Sequence, residues 1–142
     1  MSILRDAGSL TQFKPGPGRD LIDVRFEATF GEMSLSCKYE DDVITMIVGL
    51  QLFAARGPAA DAPATELHYF VAVVDRAQLI LAKKTFVSNV EFARNRNRVG
   101  VAEEIAPRIP LRLGESAADY EILVGFQLSP AELDYNRLKA VR

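Results

Sequence analysis

The residues with the greatest capacity for chemistry are one histidine and one cysteine, His68 and Cys37, each the single residue of its type in the chain. Nucleophilic catalysis needs an activated nucleophile, a base and a group that orients the base. His68 stands beside Tyr69 and Phe70 in a β-rich run, and no Gly-x-Ser-x-Gly elbow occurs. We therefore expect no catalytic residues. Cys37 is interpreted first as a buried structural thiol, with one half of a disulfide as the alternative.

Carboxylate and metal chemistry find little support in the spacing of the acidic residues. Glu103 and Glu104 are adjacent, and neighbours on a strand point to opposite faces, so they would not share a glycosidase-type site. Zinc needs three or four ligands, usually His or Cys, and the chain has one of each. The acidic run at residues 40–42 is typical of a turn. We expect neither a metal site nor a cofactor.

Arg94, Arg96 and Arg98 form the densest basic feature, on a predicted hairpin tip. Such a cluster can contact phosphates, lipid headgroups or an acidic protein, although a solvated turn is the plainer interpretation. The net charge of −2 and the absence of interleaved aromatic residues argue against binding to nucleic acid.

The elements that must position these residues are predicted from period-two alternation. Val24, Phe26, Ala28 and Phe30 alternate with polar residues, and further β-rich runs follow at residues 43–54, 66–75, 79–92, 99–111 and 120–126. Gly31-Glu32 predicts a bend or a bulge, and Lys83-Lys84 predicts a strand with one exposed side or a protected edge. Seven or eight short strands without alternating helices indicate one all-β sandwich spanning residues 1–142, of immunoglobulin or fibronectin type.

Two local signals complete the predicted domain near its C-terminus. Tyr120 follows a Pro-containing stretch, as the tyrosine of an immunoglobulin E–F corner does, and we assign it a structural tyrosine corner. Ser129 and Glu132 form a capping box with Pro130 between them, which predicts a short helix over residues 130–138.

Several stretches together resemble a family of small, uncharacterised lipoproteins of Gram-negative bacteria, mostly alphaproteobacteria. The resemblance covers nearly the whole chain. The segments that carry it lie at residues 3–7, 13–21, 36–39, 56–59, 69–75, 108–111 and 124–137. No motif among them is a catalytic signature.

The resemblance implies a signal peptide and a lipidated cysteine before the segment that matches Ile3, and neither stands in this sequence. We expect a truncated chain whose full-length form is a membrane-anchored periplasmic lipoprotein. A cytoplasmic protein is the alternative if Met1 is the native start. In the family setting Cys37 would pair with a cysteine upstream, since the periplasm permits disulfides.

The functional expectation is a non-enzymatic envelope domain that binds a protein partner or part of an assembly. The alternative is a carrier or binding module for a lipid or other small apolar ligand. A contiguous exposed apolar surface favours the first, and an apolar cavity of several hundred cubic ångströms favours the second.

Overall fold

A computed structural model describes residues 1–111 and 116–140 of the chain. Nine strands and one α-helix follow one another: β1 (Ser2–Ile3), β2 (Ser9–Phe13), β3 (Val24–Glu40), β4 (Val43–Arg56), β5 (Ala64–Asp75), β6 (Ile80–Glu91), β7 (Arg98–Ile105), β8 (Arg108–Pro110), β9 (Tyr120–Phe126) and α1 (Pro130–Ala140). Seven of these strands have five residues or more, which agrees with the predicted number.

The strands form two sheets that pack face to face, and the all-β sandwich is confirmed. One sheet, called sheet A, has the order β1-β9-β5-β6. The other, sheet B, has the order β2-β3-β4-β7. The short strand β8 pairs with the start of β4, on the same edge of β4 as β7. Because β2, β3 and β4 form a meander within one sheet, the strand order differs from the ABED and CFG sheets of immunoglobulin constant domains. The likeness is one of sandwich architecture.

The core lies between the sheets and follows the predicted alternation. On β4 the even-numbered side chains Ile44, Met46, Val48, Leu50 and Leu52 are all buried. They face the inward side chains of β5 and β9 within one apolar cluster. Burying a Leu or Ile side chain contributes about 1.5–3 kcal/mol, so this array is the main source of stability.

The N-terminal segment crosses from sheet A to sheet B. Leu4 donates its N–H to the carbonyl of Val124 in sheet A, and a 3₁₀ turn at Arg5–Ala7 then leads into β2 of sheet B. The Asn136 side chain of α1 holds this crossing, because its amide donates to the carbonyls of Asp6 at 3.0 Å and Ser9 at 2.8 Å. The helix therefore fixes where β2 begins.

The Pro-Gly loop after β2 is organised around Asp23, as a structural turn and not as a phosphate cradle. The Asp23 carboxylate accepts from the Asp20 N–H at 3.0 Å and lies 3.0 Å from the Lys14 ammonium. These two contacts, Lys14 first, hold the pKa of Asp23 below its ordinary value. The α-carbon of Gly18 lies so close to the same carboxylate that a Cβ would clash with it.

The predicted hairpin at residues 95–98 is wrong. β6 belongs to sheet A and β7 to sheet B, so residues 92–97 carry the chain from one sheet to the other. The Phe92 N–H donates to Pro63, and the Arg56 N–H donates to the carbonyl of Asn97. Backbone contacts with the end of β4 and with the loop between β4 and β5 thus direct this crossing. Alternation along a strand cannot predict it.

None of the helices within the described residues is long and apolar enough to span a bilayer.

Candidate functional site

The residues singled out for chemistry lie apart from one another. His68 is on the outer face of sheet A, half exposed, with its Nε2 3.4 Å from the Glu66 carboxylate. Cys37 is a free thiol on the inner face of β3, partly buried against the core. Glu103 and Glu104 point to opposite faces of β7, as predicted. No group of three or more metal-ligating side chains occurs among residues 1–111 and 116–140.

The arginine cluster is exposed at the crossing between β6 and β7. Arg94, Arg96 and Arg98 have no carboxylate partner within the described part of the chain, and Arg98 opens β7. The Arg56 guanidinium fixes the backbone between them by donating to the carbonyl of Arg96. The cluster is thus available to an anionic partner, and that role stays a prediction.

The predicted capping box of α1 is present. The Ser129 hydroxyl accepts from the Glu132 N–H at 3.2 Å, and the Glu132 carboxylate accepts from the Ser129 N–H at 2.8 Å. The helix continues to Ala140, two residues past the predicted end. Tyr120 begins β9 and is partly buried against the core, and the tyrosine corner stays a prediction.

One edge of β3 is left open over part of its length. Its partner β2 pairs only with residues 24–29, ending at the Ser9–Thr29 pair. β3 nevertheless continues to Glu40 and is paired with β4 on its other side as far as Val43. Within the described residues no strand covers residues 30–40 on the β2 side, and we call this segment the β3 free edge. About half of its backbone N–H and C=O groups point away from β4.

The side chains of the β3 free edge are typical of a protein–protein interface. Those on the inner face are Met33, Leu35, Cys37 and Tyr39. Leu35 is 41% exposed and Tyr39 is 58% exposed, although both lie on the core side of the sheet. From residue 33 to residue 37 the edge carries no charge, and Glu32 and Lys38 flank this stretch.

Three other edge strands, β2, β6 and β7, carry the usual protection against pairing with another chain. β6 has Lys83 and Lys84 at its middle, and β7 carries three charged residues. β2 is five residues long and ends two residues before Pro15. Lysine, proline and short length are the devices by which edge strands avoid association. By comparison, the β3 free edge is long and uncharged at its centre, and its one bulge, between Phe30 and Met33, leaves a regular strand from Met33 to Glu40.

A second feature is a cleft between the sheets on the opposite side of the sandwich. β6 and β7 do not pair, and a groove of about 660 Å³ opens between them. Its apolar floor is formed by Tyr69, Val71, Val73 and Phe86. A neighbouring groove of about 410 Å³ shares Val73 with it and reaches the exposed Leu81.

Polar groups converge on this cleft. Tyr69 is 2% exposed and stacks on Phe86 with 5.5 Å between ring centroids. Burial raises the pKa of Tyr69 to about 12, with a smaller contribution from the Glu103 carboxylate. Lys84 also lines the cleft, 5.6 Å above the Phe86 ring, and forms no ion pair with Glu103.

Sequence reasoning missed both features. The cleft brings together strands from two sheets, and the free edge depends on where β2 stops. One signal was present: the uncharged stretch of β3 contrasts with the paired lysines of β6.

Comparison of the chain with protein-family models and with curated proteins finds no match.

Proposed function

We propose that this protein is a non-enzymatic binding domain that docks a protein partner by strand addition to the β3 free edge. In strand addition the partner's main chain supplies the hydrogen bonds, and alternate side chains supply specificity. The observation that carries the proposal is the length of β3 relative to β2. Residues 30–40 continue β3 past the end of β2 with one side open, and beyond the bulge between Phe30 and Met33 the strand is regular to Glu40.

The inner face of the edge supports the same conclusion. A strand added beside β3 would cover Leu35 and Tyr39, which are 41% and 58% exposed in the isolated chain. Removing apolar surface from water contributes about 25 cal/mol per Å². The free edge therefore offers hydrogen bonding and apolar burial together.

Site-specific photocrosslinking in cells expressing the full-length protein tests the proposal. A photoreactive amino acid replaces Ser36, which lies on the outer face of the free edge, or Thr85 on the protected edge of β6 as the matched control. We expect a defined protein adduct from position 36, none from position 85, and loss of the adduct in Leu35→Lys. Equal labelling at both positions, or an adduct that Leu35→Lys leaves unchanged, contradicts the proposal.

We place this activity in the cell envelope, on a lipid-anchored form of the protein. The support is the resemblance to Gram-negative lipoproteins over nearly the whole chain. Metabolic labelling of the full-length gene product with a fatty acid analogue, followed by membrane fractionation, tests the placement. A labelled membrane protein is expected, and an unlabelled cytoplasmic product contradicts it. Intact-mass analysis with and without reductant tests the proposed disulfide of Cys37, and a free thiol there would refute it.

The cleft supports a second candidate function, the binding of a small apolar ligand that carries a hydrogen-bonding group. The supporting observation is a groove of about 660 Å³ with an apolar floor, on which the Tyr69, Lys84 and Glu103 side chains converge. NMR titration with dodecanoate is the test. Shifts at Tyr69, Phe86 and Glu103 that weaken in Tyr69→Phe support the carrier function. Shifts spread over the surface, or none, contradict it.

A further inference from the structure

We infer that the protein partner at the β3 free edge is a second copy of this chain, added antiparallel with Leu35 opposite Leu35 of the second copy. This inference rests on the proposed function, because it names the occupant of the same edge. Three observations carry it: the bounds of the edge, its charges and its inner face.

The bounds of the free edge limit the possible registers. β2 covers β3 as far as Thr29, a bulge lies between Phe30 and Met33, and the turn at Asp41 ends β3 after Glu40. Two copies related by a twofold axis can therefore pair along most of the open segment only when a residue near its middle, such as 35 or 36, lies on that axis. A symmetric pair of this kind closes on itself, so it gives a dimer and not a fibre.

The charges on the outer face favour the register centred on Leu35. Residue 32 of one copy then lies opposite residue 38 of the other, so the Glu32 carboxylate faces the Lys38 ammonium of the second copy. The twofold axis forms this pair twice, and both side chains are exposed in the single chain. Opposite charges directly across an antiparallel pair are stabilising, and like charges are destabilising.

Other registers lose these pairings. A shift that brings Ser36 opposite Ser36 of the second copy also brings Glu32 opposite Glu40, which is repulsive. A shift by one residue turns the inner face of one strand toward the outer face of the other. The Leu35-centred register instead places Met33 opposite Cys37 of the second copy. Both of these side chains are already packed against the core on the inner face.

A register-specific disulfide tests the inference. The chain has one cysteine, so Cys37→Ser with Leu35→Cys leaves a single thiol on the proposed twofold axis. Opposed residues of an antiparallel pair have Cα atoms about 4.5–5.5 Å apart, within the range of about 4.4–6.8 Å that a disulfide spans. Under mild oxidation we expect a covalent dimer of this variant. Wild type, whose Cys37 lies opposite Met33 of the second copy, should stay noncovalent.

Charge reversal gives a second test that does not depend on the cysteine variant folding well. Sedimentation analysis should show a concentration-dependent dimer for wild type. Lys38→Glu should raise the dimer dissociation constant about tenfold, since two attractive pairs become repulsive. Glu32→Lys combined with Lys38→Glu restores both pairs and should return the constant to near the wild-type value. Lys83→Glu on β6 is the matched control and should change nothing.

The outcomes separate this inference from the proposed function. A monomer at all concentrations with no disulfide through position 35 overturns self-pairing. A wild-type disulfide through Cys37 overturns the Leu35-centred register. If the Ser36 photoadduct has the mass of two chains, both statements stand. If it contains a different protein, the proposed function stands and self-pairing falls, and the absence of any adduct overturns both.

Discussion

Two leucines on the inner face of sheet B should differ sharply in what they contribute to folding. Leu52 on β4 is 0% exposed, whereas Leu35 on the β3 free edge is 41% exposed. Replacing either by alanine removes three carbon atoms. At about 0.8 kcal/mol per buried methylene, this removal costs about 2.4 kcal/mol at full burial.

The two costs then diverge because of burial and cavity formation. At Leu52 an enclosed cavity adds to the transfer free energy, which brings the total loss to about 3–5 kcal/mol. At Leu35 about 59% of the residue is buried, so the loss is about 1.4 kcal/mol. Solvent can enter the space at Leu35, so no cavity contribution is added there. The difference between the two variants is therefore about 2 kcal/mol or more.

Urea unfolding of Leu35→Ala and Leu52→Ala measures both values, at a protein concentration where wild type is monomeric. The linear dependence of the unfolding free energy on urea gives the loss for each variant. The reasoning predicts a small loss for Leu35→Ala together with weakened docking at the free edge. A loss at Leu35 equal to that at Leu52 would refute it, because Leu35 would then belong to the core and not to a surface that awaits a partner.

The remaining predictions concern the helix cap and two titrating groups. Ser129→Ala removes the acceptor of the Glu132 N–H and should lower the free energy of unfolding by about 1 kcal/mol. An unchanged free energy of unfolding would contradict this prediction. The pKa of Tyr69 is raised from 10.0 to about 12, so stability should be full below pH 10 and fall as the pH rises toward 12. Ultraviolet absorbance should show a late-titrating phenol that Tyr69→Phe removes, and a single transition near pH 10 for all tyrosines would contradict this. Because the pKa of Asp23 is lowered, its contribution should be present above pH 3.8 and be lost on further acidification. Chemical unfolding across that range should show a weaker acid dependence in Asp23→Asn, and an unchanged dependence would contradict the assignment.

Much of the fold could be predicted because strand burial is a local property. The alternation from Ile44 to Leu52 fixes which side chains enter the core, whatever the neighbouring strands are. The register shift between Phe30 and Met33 agrees with the bend or bulge that Gly31-Glu32 predicts. The capping box at Ser129 depends on residues three positions apart and is equally local.

The pairing of strands could not be predicted in the same way, since periodicity does not say which sheet a strand joins. Residues 95–98 were assigned to a hairpin, although backbone contacts at Arg56 and Pro63 direct the chain across to the other sheet. The free edge has a similar origin. β2 cannot extend along β3 past Ser9, because the preceding residues cross to sheet A and Asn136 holds that crossing.

Residue-resolved amide hydrogen exchange along β3 tests the central claim most directly. In the dilute monomer, the amides of residues 33–40 that point away from β4 should exchange rapidly, while the alternate amides bonded to β4 are protected. When the edge is occupied, at high protein concentration or with the partner bound, the rapid set should become protected. Protection of every amide of this segment in the monomer, or continued rapid exchange in the complex, would contradict docking at the β3 free edge.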